Sequence, residues 1–135
     1  MFRAELPIQT NGRGFYSLDS ALDRLIAKSG LRDGLCHLFL LHTSASLLIT
    51  ENADPDVRLD LESFMQKLVP DGRAHYRHNM EGPDDMPAHI RSALTQTEVT
   101  VPVLAGSLAL GTWQSVFLWE HRLSAHVRRV LVTIR

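Results

Sequence analysis

The sequence predicts an α+β fold: a single-domain sandwich of mostly antiparallel β-sheet, residues 1–135, with two main helices and one short helix. Three observations carry this. Six apolar, strand-like runs are spread along the chain, the last three of them consecutive. Only two long helical patterns and one short one interrupt them, too few to cover both faces of a parallel sheet. The 135 residues, 44% of them hydrophobic, suit one core, and no repeat, low-complexity tract or linker divides them.

The elements follow in order. Residues 2–9, FRAELPIQ, partly alternate and read as an edge strand, where Pro7 is tolerated. NGRG at 11–14 is a turn. Leu18, Leu22, Leu25 and Ile26 then recur at helical spacing, with Ser17 or Asp19 as N-cap and Gly30 as the stop. LCHLFLLHT (35–43) is a strongly apolar strand, and SLLITEN (46–52) a second. The main helix starts from Asp54 as N-cap, with Pro55 at the first helical position and Asp56 adding negative charge to the first turn. Val57, Leu61, Phe64, Met65 and Leu68 form its apolar face, and Pro70 ends it. Residues 71–86 read as loop. A short helix starts near Pro87 and carries His89, Ile90, Ala93 and Leu94; the proline is expected to leave Asp85 just outside, as a cap. EVTVPVL (98–104), SLALGTWQSVFLWEH (107–121) and HVRRVLVTI (126–134) complete the strands, with AGS as a turn between the first two.

Composition excludes some functions. The formal net charge is −1 and the basic residues are scattered, so nothing favours nucleic acid or an anionic membrane surface. No apolar run approaches the roughly 18 residues of a membrane span, and the N-terminus has no signal-peptide pattern. Cys36 is the one cysteine, which suits a reducing compartment; the expected location is the cytoplasm. Lying in an apolar run, Cys36 reads as a packing thiol.

Four polar stretches could carry chemistry. His42, Thr43, Ser44 and Ser46 sit where an apolar strand breaks, either as a side-chain turn or as a site on a rigid strand end. Glu51 and Asn52 close a strand and face a ligand or water. YRHNMEGPDDMPAH (76–89) gathers acids and imidazoles without apolar residues to hold them. It is either a solvated turn-rich loop or a metal site, in which His78 and His89 are brought together by the loop folding back and Asp85 ligates or orients a ring. In GTWQ (111–114), Gly111 within a strand suggests a bulge, Trp113 brings a large apolar area, and Gln114 satisfies backbone or reads a ligand. Glu120, His121 and Arg122 follow at a strand end; Arg122, Arg128 and Arg129 either bind phosphate or form exposed salt bridges.

Taken together, HTSASLLITENADPDVRLDLESFMQKLVPDG, YRHNMEGPDDMPAHIRSAL, TVPV and LGTWQSVFLWEHR resemble, in this order, the YjbQ-type proteins, a family also called secondary thiamine-phosphate synthase. The resemblance runs from about residue 35 to the C-terminus. It implies an α+β sandwich assembling as a homotrimer, a pocket at or near the subunit boundary, and a divalent metal ion, zinc or magnesium. Carried onto this chain, the metal positions are His42, His78, His89 and Asp85, with Glu51 and Glu120 as supporting carboxylates. The implied activity joins a pyrimidine methyl diphosphate to a thiazole phosphate and releases pyrophosphate. In that reading His42, His78, Glu120 and Arg122 are catalytic, and Thr43, Ser44, Glu51, Asn52, Trp113, Gln114 and Arg129 bind a small phosphorylated metabolite. Two departures stand against the family pattern. LTQTE (94–98) places Gln96 and Glu98 where a Gly and a Ser are usual, and Ser115 replaces a Gly after GTWQ. Glu98 would disfavour a nearby phosphate. Competing readings are a metal-dependent hydrolase or transferase for another phosphorylated compound, and a non-enzymatic metal- or metabolite-binding trimer.

Overall fold

Strict alternation of half-buried and exposed residues along β1 (Phe2–Gln9) marks a strand with one face on a core and one toward solvent. The computed structural model describes residues 1–135. After β1 come β2 (Gly14–Ser17), α1 (Asp19–Ser29), β3 (Gly34–Leu40), β4 (Ala45–Glu51), α2 (Pro55–Leu68), α3 (Asp85–Leu94), β5 (Glu98–Leu104), β6 (Ser107–Leu108), β7 (Gln114–Glu120) and β8 (Val127–Ile134). The strands form a five-stranded sheet in the order β1-β8-β3-β5-β6 and a three-stranded sheet in the order β2-β7-β4. Every pairing is antiparallel. The fold is the α+β arrangement the sequence predicts.

One core lies between the sheets. Cys36, Leu38 and Leu40 of β3, Val99, Val101 and Val103 of β5, and Val130, Val132 and Ile134 of β8 meet Ala45, Leu47, Val116 and Leu118 of the smaller sheet. Leu18, Leu22 and Ile26, from α1 and the residue before it, complete this core. The Cys36 thiol is sealed inside, and burial pushes its pKa up to about 11. On its other face the three-stranded sheet packs Trp119, Phe15 and Leu48 against Met65, Leu61 and Val69 of the α2 region and Ile90 of α3. Covered on both sides, β7 is buried at six of its seven residues. That double burial is why VFLW reads as a continuous apolar run and not as an alternation.

Five expectations differ from the structure. The residue capping α1 is Leu18, neither Ser17 nor Asp19, and no side chain caps that helix. The short β2 follows the NGRG turn, where no strand is expected. The 107–121 run splits into β6 and β7, because Gly111 lies in a turn closed by its own N–H donating to the Gln114 side chain at 2.8 Å; there is no strand bulge. Phe64 and Leu68 remain exposed, since the three-stranded sheet is too narrow to cover the whole apolar face of α2. Asp85 is the first residue of α3 and not a cap outside it. Pro87 sits at the third position, where a helix has no acceptor for an N–H in any case.

These elements converge at one end of the sandwich. Ala45, the first residue of β4, pairs with Glu120, the last of β7. Ser92 of α3 donates to the Ala45 carbonyl at 2.8 Å and so pins the helix across the entry to β4.

Candidate metal centre and its pocket

The i, i+4 spacing of Asp85 and His89 puts both on one face of the first turns of α3. The loop before α3 turns back at Gly82, whose φ of +105° is a conformation that favours glycine, and carries His78 to the same place. The His78 Nε2 lies 2.7 Å from Asp85 Oδ2, and the His89 Nε2 lies 3.2 Å from the same oxygen. One ligand atom from each of the three residues falls within 4.8 Å of the others. Asp85 is buried, the His89 side chain about one-third exposed and that of His78 half exposed, so the group opens to solvent on the His78 side.

The second nitrogen of His89 decides what the first can do. Its Nδ1 lies 3.0 Å from the Thr43 carbonyl, which can only accept, so Nδ1 carries the proton. In the neutral ring, Nε2 then presents a lone pair toward a carboxylate oxygen that also presents lone pairs. A cation between them, or a second proton, resolves this opposition. Zinc-binding histidines commonly donate their other N–H to a backbone carbonyl in this way. Two imidazoles and one carboxylate therefore fit a nitrogen-preferring first-row ion such as zinc, and fit magnesium, which prefers all-oxygen surroundings, less well.

Beside this group lies a cavity of about 330 Å³ lined by His42, Thr43, His89, Ser92, Ala93, Thr95 and Thr97. His42 enters it from the end of β3. Its Nε2 accepts the Arg129 N–H at 2.8 Å where pairing between β3 and β8 runs out. That bond leaves the proton on Nδ1. Burial, and then the charges of Arg128 and Arg129, hold the His42 pKa below the ordinary value and keep the ring neutral. His42 is outside the three-residue group, and its lone pair is already engaged.

A profile described as UPF0047 protein YjbQ-like matches residues 4–135. The chain belongs to the YjbQ-like UPF0047 family. Relatives include a UPF0047 protein of Synechocystis, 53% identical over 96% of this chain and 88% of that one, and the UPF0047 protein YjbQ of Escherichia coli O157:H7, 42% identical over 99% and 97%. Among solved structures, a conserved hypothetical protein of Thermus thermophilus superposes with a TM-score of 0.87 at 36% identity, covering 98% of this chain and 99% of that one. A YjbQ/UPF0047 family protein of Clostridium acetobutylicum gives 0.85 at 32%, over 100% of both.

The remaining sequence-derived positions of this YjbQ-like chain fall in three places. Glu120 is fully buried, accepting from Arg128, from the Thr10 hydroxyl and from the N–H groups of His121 and Arg122. Burial pushes its pKa up, but those hydrogen bonds and the Arg128 charge outweigh it and hold it below the usual range. Ser44 accepts from Arg128 inside the same network. Arg122 donates to Asp84, Asp85 and the Glu81 carbonyl, and Arg129 faces Glu5 on the surface at 3.6 Å. Glu51, Asn52, Trp113 and Gln114 are at the opposite end of β4 and β7, roughly 20 Å along the strands from His42. There Glu51 accepts the N–H groups of Ala53 and Asp54, and Asn52 donates to the Thr112 and Gln114 carbonyls. Within one chain these four residues do not reach the metal group.

Two contributors escape the sequence reading. The Thr43 carbonyl is a backbone group, and no side-chain pattern reports it. Under α3, fully buried Arg91 donates to Glu62 at 2.9 Å, and Glu62 also accepts the Trp119 indole N–H at 2.7 Å. His121 and Ser46, both among the polar residues named from sequence, meet next to Trp119, where the buried His121 Nε2 lies 2.9 Å from the Ser46 hydroxyl. An arginine four residues before a Thr on a short helix signals nothing by itself; its role comes from what packs over it.

Proposed function

We propose that this chain is a metal-dependent enzyme acting on a small phosphorylated metabolite, with a zinc-type ion held by His78, Asp85 and His89. The observation that carries this reading is the His89 ring, fixed by the Thr43 carbonyl with its Nε2 lone pair toward Asp85. A bound ion there supplies Lewis-acid stabilisation of charge on a phosphoryl oxygen or leaving group. The half-exposed His78 side leaves room for a further ligand, as catalytic sites do and closed structural sites do not. His42 lines the adjoining cavity as a neutral ring whose Nδ1 faces Arg128 Nη1 at 3.5 Å, so near pH 7 it shapes the cavity wall without adding charge. The free face of Thr43 lines the same cavity.

Thiamine-phosphate synthesis, implied by the family resemblance, is the first reaction to test. The cavity favours a second reading equally: Arg122, Arg128 and Arg129 are engaged elsewhere, so no lining guanidinium is free for a diphosphate. A phosphate monoester, carrying less charge, fits a metal-dependent hydrolase on the same residues. Metal analysis of the purified chain is expected to show one ion per chain. His78→Ala and His89→Ala should each lose it, together with thiamine phosphate formation from the two half-molecules or with turnover in a phosphate-ester screen. A chain that takes up no ion, or variants that keep full activity, would sink the reading. A cytoplasmic location and a homotrimer belong to the same proposal. The single buried thiol supports the first, and the uncovered outer face of the five-stranded sheet, with Leu35, Phe39 and Leu104 exposed, supports the second. Light scattering of the intact chain measures the assembly directly.

A further inference from the structure

We infer that Arg122 is a positioning residue of the metal centre: it fixes Asp85 so that a single oxygen, Oδ2, is left for the ion. The inference rests on the metal reading above. Arg122 stands just beyond β7, and its guanidinium spreads three edges over the segment that leads into α3. The Nε donates to Asp84 Oδ2 at 2.9 Å, Nη1 to Asp85 Oδ1 at 2.9 Å, and Nη2 to the Glu81 carbonyl at 3.0 Å. Asp84 Oδ2 also accepts the Leu123 N–H at 2.9 Å, which ties the same segment to the strand end by a second bond. The Arg122 side chain is 15% exposed and those of Asp84 and Asp85 less.

Two consequences follow. The carboxylate of Asp85 cannot turn to offer both oxygens, because Oδ1 is held from the side away from the histidines. The charge also counts correctly: two carboxylates against one guanidinium leave one negative charge facing the two imidazoles, which suits a divalent cation with a further anionic ligand. The alternative task for Arg122, gripping a substrate phosphate, would require breaking bonds to two buried carboxylates. A lysine could not replace it, since a single ammonium head cannot span three acceptors in one plane.

The test is zinc binding alone, by competition with a chromogenic chelator, on the intact chain and on Arg122→Gln, Arg122→Lys and Asp84→Asn. Loss of an outer partner of a metal ligand typically weakens affinity about 10–100-fold; that loss is expected in both Arg122 variants, without rescue by lysine. Asp84→Asn, which leaves every ligand and Arg122 in place, should weaken binding in the same direction and serves if the Arg122 variants do not fold. Side-chain ¹⁵N spectra of the metal-stripped proteins supply a second readout: the ring signals of His78 and His89 should shift in the variants while those of His37 stay. Zinc affinity unchanged, with only a lowered melting temperature, would show a merely structural role and overturn the inference. A parent chain that binds no zinc overturns the metal reading instead; unchanged His78 and His89 signals would then overturn the positioning role as well, and shifted ones would retain Arg122 as the residue that sets Asp85.

Discussion

At the scale of single residues, two histidines of identical chemistry are set apart by what surrounds them. His89 is partly open and meets a carbonyl and a carboxylate. His121 is fully buried; burial first, then the charges of Arg91, Arg13 and Arg128, lower its pKa from 6.5 to about 3. In the unfolded chain this ring binds a proton below pH 6.5, whereas in the folded chain it does not until about pH 3. The unfolded state therefore holds the extra proton throughout that window, and stability falls as pH drops through it, by roughly 1.4 kcal/mol per pH unit. Denaturant midpoints measured from about pH 7.5 down to about 4.5 should show this decline. His121→Phe should make the decline shallower between about pH 6.5 and 5, leaving the share that the lowered His42 contributes there; an unchanged slope would refute the assignment. Much of the His78, Asp85 and His89 cluster was legible in sequence at this scale. Asp85 and His89 stand at helical spacing, and a polar block without apolar anchors held His78. What was not legible was the partner of each group: the Thr43 carbonyl, the hold of Arg122 on Asp85, and the burial of Glu120 depend on contacts far apart in the chain.

Elements show a different limit. Helix α2 was readable from its start signal, and the Asp54 carboxylate does accept the Asp56 N–H at 2.9 Å. Asp54→Ala should cost about 1 kcal/mol in thermal or chemical unfolding and leave zinc affinity as it was, since the cap touches no member of the metal group. How deeply each residue of the helix is buried was not readable. Periodicity names a face but not the width of the surface that covers it. Met65 is 7% exposed against Trp119, while Phe64, one position away, is 64% exposed. Met65→Ala should therefore cost about 2–5 kcal/mol, and Phe64→Ala should change the stability of the isolated chain by no more than about 0.5 kcal/mol. Equal losses would mean that another surface covers Phe64. The four residues of β2 were missed for a related reason: GFYS is too short to show a period, and it becomes a strand because β7 offers its free edge.

Across the whole molecule, one buried ion pair joins the two sheets. Glu120 ends β7 in the smaller sheet, Arg128 lies on β8 in the larger one, and the carboxylate accepts from Arg128 Nε at 2.8 Å and from its Nη2 at 2.5 Å. Thr10, just after β1, and Ser44, just before β4, complete the shell of hydrogen bonds. The side chains of Arg128 and Glu120 are 4% and 0% exposed, so the guanidinium would be left without water or counter-charge if the acid were removed. Glu120→Ala should then cost about 3–5 kcal/mol, whereas replacing both partners, as Glu120→Leu with Arg128→Met, should recover much of that loss, because the pair's own desolvation is relieved at the same time. Denaturant unfolding of the single and double variants measures both quantities. Zinc affinity of the folded double variant supplies the contrast with Arg122. The Glu120 side chain touches none of His78, Asp85 and His89, and it meets Arg122 only at the backbone N–H, so the affinity should remain near that of the parent. A large loss of affinity would instead place the inter-sheet pair among the groups that set the site, and would make Glu120 more than the fastening between sheets that its burial describes.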